Sequence, residues 1–91
     1  MKKTYKVVYE KNAIKSLRKL DVKQRKYIFQ FIKNKLNNTE NPRQMGKALK
    51  GNLKEYWRYR VGDYRLIAEI NDEEIRIIIF EVGHRKDIYN K

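Results

Sequence analysis

The chain has 91 residues, no cysteine, and 23 Lys or Arg against 11 Asp or Glu, for a net charge of +12. A chain of that length supports one modest core, so a single domain over residues 1–91 is expected. The lack of cysteine excludes a disulfide framework and a thiolate metal site and fits a reducing cytoplasm. The longest apolar run, Ile77 to Phe80, cannot span a membrane, and the basic start lacks the apolar stretch of a signal peptide.

The charge is uneven. Residues 1–60 hold 18 Lys or Arg against 4 acids, and residues 61–91 hold 5 against 7. Such a surplus points to nucleic acid or an acidic protein partner, although part of it is the ordinary solvated face of lysine-rich helices.

Residues 4–9, TYKVVY, have strand composition. From Lys11 to Leu20, Ala13, Ile14, Leu17 and Leu20 recur at helical spacing, with Lys15, Arg18 and Lys19 on the other side. Asp21 is an N-cap, with Gln24 placed to complete a capping box. A second helix over Val22 to Asn37 buries Ile28, Phe31, Ile32 and Leu36, and the short link makes a helical hairpin. The run Asn37 to Pro42 ends it, because asparagine favours turns and proline disfavours helix before it. Arg43 to Leu53 reads as a connector carrying Lys47 and Lys50.

The stretch Tyr56 to Ile70 alternates with period two about Gly62-Asp63, which predicts a β-hairpin. Val61 then faces Tyr64, Arg60 faces Arg65, Tyr59 faces Leu66 and Arg58 faces Ile67. One face carries Trp57, Tyr59, Val61, Tyr64, Leu66, Ala68 and Ile70; the other carries Tyr56, Arg58, Arg60, Arg65 and Ile67. Like charges directly opposite on a sheet are unfavourable, and a bound polyanion would relieve Arg60 across from Arg65. Ile75 to Val82 is a third strand after an Asp72-Glu73 loop, a register that pairs Glu69 with Arg76 and brings Phe80 opposite Arg65. Gly83 ends it. The order β-α-α-β-β-β is an α+β domain, a helical hairpin packed on one face of a mostly antiparallel sheet. The arginine face stays open as the working surface.

There is no phosphate-binding glycine loop and no metal motif, so the candidates are basic and aromatic groups around that face. Arginine binds two phosphate oxygens at once and stays charged. Arg58 and Arg65 are the leading pair. Arg60 and Arg76 read first as surface residues or salt-bridge partners of Glu69 or Glu81, with Arg60 also flanking a bound strand together with Lys47, Lys50, Lys54 and Tyr56. His84 is the single histidine, and its side chain alone titrates near neutrality without perturbation. It stands beside Arg85 and before Tyr89, whose alternatives are base stacking and anchoring the tail.

Two segments, KALKGNLKEYWRYRVGDYRLIAEI and FEVGHRKDIY, together resemble the RelE family of bacterial and archaeal toxins. The most specific parts are R-x-GDYR-L at Arg60 to Leu66 and VGHRKDIY at Val82 to Tyr89, and the likeness covers nearly the whole chain. The resemblance implies the RelE/ParE fold and a ribosome-dependent endoribonuclease that cuts the mRNA codon in the ribosomal A site. The ribose 2′-OH attacks the adjacent phosphate, without metal or other cofactor. By the same resemblance Arg65 and Arg85 stabilise the scissile phosphate, Tyr89 stacks on or orients the substrate, and Arg58 takes a position that is often lysine. The better-known pattern has two lysines on the hairpin's first strand, where this chain has Tyr56 and Arg58. Since arginine does not accept a proton, that departure leaves the general base open among His84, the preferred proton-transfer group, Lys54 at the strand start and Glu69 further along the same face. The implied partner is an acidic RelB-like antitoxin. The alternatives are a ParE-like toxin that inhibits DNA gyrase without cleaving anything, and a basic RNA-binding domain with a decayed catalytic set.

Overall fold

The computed structural model describes residues 3–49 and 56–84. In chain order these form β1 (Lys6–Tyr9), α1 (Lys11–Arg18), α2 (Val22–Phe31) continuing into a π-helical turn (Ile32–Leu36), β2 (Lys47–Ala48), β3 (Tyr56–Val61), β4 (Tyr64–Asn71) and β5 (Arg76–His84). The strands make one sheet in the order β1-β5-β4-β3-β2. All neighbours are antiparallel except β1 and β5. The helices lie on one face of this mixed sheet, the α+β arrangement expected. No helix among the described residues is long and apolar enough to cross a membrane.

Side-chain spacing explains the helices. In α1, Ala13 and Leu17 are buried, while Ile14 stands at the rim, 39% exposed. Asp21 caps α2 by accepting the Gln24 backbone N–H at 2.9 Å. The reciprocal half of the capping box is absent, because the Gln24 side chain instead accepts the Tyr64 hydroxyl. Ile28, Ile32 and Leu36 are spaced by four and all buried. In a helix of 3.6 residues per turn that spacing drifts around the axis, and the wider π turn offsets the drift. The Asn37 N–H accordingly bonds the Ile32 carbonyl, five residues back, at 2.7 Å.

The β3–β4 hairpin has the expected register, with Arg60 across from Arg65 and Tyr59 across from Leu66. Gly62 supplies the turn with a φ of +60, a conformation that costs glycine little. Tyr59, Val61, Leu66 and Ala68 face the helices and are buried with Ile77, Ile79 and Val82.

Three expectations fail. The connector contains a short edge strand, β2, in which Lys47 pairs with Arg58 and Ala48 with Trp57. The β4–β5 turn is longer than two residues, so Glu69 faces Ile78 and Ile70 faces Ile77, rather than Arg76 and Ile75. Its cause is Asn71, whose side-chain oxygen accepts the Glu74 N–H at 2.9 Å, closing a local turn that competes with the tight hairpin. Ile75 follows with a φ of +56. Finally, the strand does not end at Gly83, and a register shift interrupts it opposite Ile67/Ala68: Ile67 pairs with Glu81 but Ala68 pairs with Ile79. Phe80 is the extra residue of this β-bulge, and Gly83, not Phe80, lies across from Arg65.

Candidate functional site

Register and alternation lay out the sheet face opposite the helices as a series of cross-strand rows. At the hairpin end stand Arg60, Arg65 and Gly83; next come Lys47, Arg58, Ile67 and Glu81; beyond them lie Tyr56, Glu69 and Ile78. Neighbours across a row are roughly 4.5–5.5 Å apart at Cβ. Lys47, Arg58, Arg60 and Arg65 therefore form one cationic cluster, built from three adjacent strands. Two of its cross-strand pairs, Lys47–Arg58 and Arg60–Arg65, oppose like charges. Tyr56 shares the face, and Lys50, Lys54, Arg85 and Tyr89 lie outside the described residues.

Arg65 is not on an open surface, as alternation alone suggests. It is 3% exposed, the single buried charged residue described, and Ile67 beside it is 9% exposed. One Arg65 guanidinium nitrogen lies 3.5 Å from the Tyr64 carbonyl. Across from it, Gly83 has no side chain to compete for space. Arg58 is half-buried and Arg60 exposed. The face thus holds one guanidinium withdrawn from water and others at its rim. Arg76, expected as a partner of Glu69, instead lies 3.4 Å from Glu74.

His84 is parted from this cluster. Without the bulge, even-numbered positions of β5 would share the arginine face as far as His84. One extra residue inverts every position beyond it. Val82 turns into the core at 4% exposure. Glu81 comes to the arginine side and His84 pairs with Tyr64 on the helix side. Their rings meet edge to face, 5.5 Å between centroids and 81° between planes. The signal was available: the apolar positions Ile77 and Ile79 are followed by Val82, a change of parity. The same inversion brings in Glu81, which strict alternation hides.

The outer edge of the cluster is held from the helix side. Trp57 Nε1 donates to the Met45 carbonyl at 2.6 Å, and the Tyr59 hydroxyl donates to the Pro42 carbonyl at 2.5 Å. Burial pushes the Tyr59 phenol well up, which keeps it a neutral donor. Gly46, at a φ of +81, sits so close that an added Cβ would lie 2.3 Å from the Arg58 carbonyl. Arg43 makes two 3.0 Å hydrogen bonds to Asp72, and Tyr5 donates to the same carboxylate at 2.7 Å. The Arg43 guanidinium, then the Tyr5 hydroxyl, hold the Asp72 carboxyl below its usual range. These contacts fix the segment before β2, and with it Lys47.

A second surface lies beyond the sheet. Tyr9, Ile14, Leu17, Arg18, Arg25 and Phe29 line a groove of about 360 Å³ between the helices and β1. Its lining is mostly apolar, with Arg18 and Arg25 contributing the two cationic side chains. Among the described residues no cluster of His, Asp or Glu is arranged to hold a metal ion.

Comparison with known proteins places this arrangement. The family described as ParE toxin of type II toxin-antitoxin system, parDE, matches residues 7–89. Toxin RelG of Mycobacterium tuberculosis is 32% identical over 87 residues, covering 96% of this chain and 98% of that protein. Toxin RelE of the same organism is 31% identical over 85 residues, 93% and 86% of the two chains. Among solved structures, the M. tuberculosis RelBE2 toxin-antitoxin complex superposes with a TM-score of 0.82 at 30% identity, covering 90% of this chain and 99% of the other. The RelB-RelE antitoxin-toxin complex of Methanococcus jannaschii gives 0.62 at 32% identity, covering 91% and 95%.

Proposed function

Because the chain belongs to the ParE toxin family of type II toxin–antitoxin systems, within the RelE/ParE superfamily, we propose that it is a RelE-type toxin cutting mRNA in the ribosomal A site. The observation that carries this reading is the cationic cluster of Lys47, Arg58, Arg60 and buried Arg65 on one sheet face. A toxin acting only by docking on a protein has no need to withdraw a guanidinium from water at the centre of a basic face.

The reaction is an in-line attack by the ribose 2′-oxygen on the neighbouring phosphorus. The P–O5′ bond breaks, leaving a 2′,3′-cyclic phosphate and a 5′-hydroxyl. Negative charge grows on the phosphoryl oxygens, and Arg65, screened by little water, meets it strongly. Arg58 and Arg60 hold flanking phosphates with Lys47 beside Arg58, and Lys50 and Lys54 are assigned to RNA contact from the sequence. Arg85 and Tyr89, assigned by the VGHRKDIY motif, supply a second cation and a stacking ring. Glu81 rather than His84 takes the 2′-OH proton, because Glu81 shares a face with Arg65 and His84 does not, and the departing O5′ takes a proton from water. His84, against Tyr64, acts as a positioning residue for the strand end that leads to Arg85.

The partner is an acidic antitoxin of RelB type, as in the complexes of the relatives. The basic helices and the Arg18/Arg25 groove suit an acidic amphipathic segment.

The test is primer extension on a defined mRNA, with and without ribosomes stalled at a known codon. A cut inside the A-site codon that needs ribosomes supports the proposal. Arg65→Ala should then lower the rate by about 10²–10³. Growth arrest without any cut in either tube would move the reading to gyrase inhibition.

A further inference from the structure

Phe80 belongs to neither the helix-side core nor the cationic cluster, yet the bulge sets it on the face where that cluster lies. Its ring meets Tyr56 at right angles, with centroids 5.3 Å apart and planes at 89°. Both rings are half-buried, and their face carries no described helix. Ile67 and Ile78, the neighbouring positions on β4 and β5, line an apolar floor next to them. Glu69 stands directly across from Tyr56.

We propose that Tyr56 and Phe80 form a stacking platform for one unpaired RNA base, in register with the phosphate contacts of Arg58 and Arg65. The proposal rests on the reading that this face takes single-stranded RNA, and it names how a base is held there.

Three observations carry it. First, the rows differ in chemistry. Arg60, Arg65, Arg58 and Lys47 occupy the two rows at the hairpin end, with Glu81 among them, and the next row carries Tyr56 and Glu69 with Phe80 against the Tyr56 ring. A phosphate is drawn to the rows that hold several guanidinium groups, whereas a base has a π-face for the rings and no net charge. Second, Tyr56 and Arg58 are two residues apart on one strand, about 7 Å, the scale of a single nucleotide from base to phosphate. Third, the ring pair makes a right-angled corner, so a base can stack on one wall while the other stands beside it. The base then turns its own edge to the face of the second ring, which is favourable for π-systems and indifferent to base identity. Phe80 reaches this corner because the bulge turns two consecutive residues, Phe80 and Glu81, to the same side before Val82 returns to the core.

The test is equilibrium binding by fluorescence anisotropy at low salt. The probe is a single-stranded RNA hexamer, 2′-O-methylated so that it cannot be cut, together with a series in which one abasic site is moved through it. The wild-type protein should lose about tenfold in affinity at one abasic position. Tyr56→Leu and Phe80→Leu should bind the intact hexamer about tenfold more weakly and no longer distinguish that abasic probe. Tyr56→Phe, which keeps the ring, should behave as wild type, and thermal melts would identify any variant that has lost its fold. A wild-type protein indifferent to abasic sites, or failing to bind, overturns the platform, as do folded leucine variants that keep the abasic penalty. The ribosome assay reads the other question separately. Ribosome-dependent cleavage by a wild type indifferent to abasic sites removes the platform and leaves the toxin chemistry standing, and the converse result does the reverse.

Discussion

At the residue scale, the position of one side chain relative to the sheet decides which group moves the proton. His84 has the more convenient intrinsic pKa, but its ring is engaged with Tyr64 on the helix side. Glu81 lies one row from Arg65 on the same face, where a carboxylate can reach a 2′-OH held beside that guanidinium and His84 cannot. The rate should therefore show no titration near pH 6.5. Glu81→Gln should reduce cleavage by about 10²–10⁴, the range typical of a lost general base. His84→Phe, which keeps a ring against Tyr64 but has no titrating nitrogen, should retain most of the activity that His84→Gln loses. A pH–rate profile of the three proteins settles the assignment. An acidic limb near pH 6.5 that disappears in both His84 variants returns the chemistry to histidine.

At the scale of elements, β2 is a strand of two residues held by what lies before it rather than by its own sequence. Gly46 leaves no room for a side chain against β3 and sits at positive φ. Gly46→Ala should therefore lower the urea midpoint, by an amount equivalent to about 1–3 kcal/mol, and should weaken RNA binding by freeing Lys47. Retained stability would show that the segment shifts without cost. Such an element is hard to read from a sequence. Lys47 and Ala48 have no strand periodicity, and their pairing depends on Trp57 and Tyr59 reaching back to the Met45 and Pro42 carbonyls. The elements that were legible carry their own signals: the four-spaced line of Ile28, Ile32 and Leu36, the Asp21 cap, and the glycine turn with its alternating flanks. Two of the failures are contests between two local preferences. Asn71 closed a longer turn where a tight one was expected. The parity change from Ile79 to Val82 was present but outweighed by an otherwise uninterrupted strand, and missing it left His84 among the groups of the arginine face. The burial of Arg65 had no sequence signal, since a sheet face reads as open unless something is seen to lie on it.

At the scale of the whole molecule, two long-range effects are measurable. Asp72 ties β1 to the segment before β2, through Tyr5 and Arg43. Its carboxyl is held low by those partners, so its contribution to stability is present above the unfolded value, near 3.8, and is lost as pH falls through the lower folded value. Both charged groups are about half exposed, which keeps the effect small. Asp72→Asn should lower the melting temperature at pH 7 and flatten its fall below pH 4, as thermal scans from pH 7 to 3 would show. The second effect concerns which of two basic surfaces holds RNA. Lys15, Lys19, Lys23, Lys26 and Lys33 are exposed on the helices, on the side of the sheet away from Arg58 and Arg65. Charge alone does not choose between the two. Counterion release does, because each phosphate neutralised adds about −0.7 to the slope of log K against log salt for a single strand. Four contacts from Lys47, Arg58, Arg60 and Arg65 give a slope of about −3. Lys47→Gln should reduce its magnitude by about 0.7, and Lys23→Gln should leave it unchanged, in titrations of the uncleavable hexamer from 50 to 300 mM salt. If the two variants exchange behaviours, RNA lies on the helices, and the sheet face has lost its claim to be the working surface.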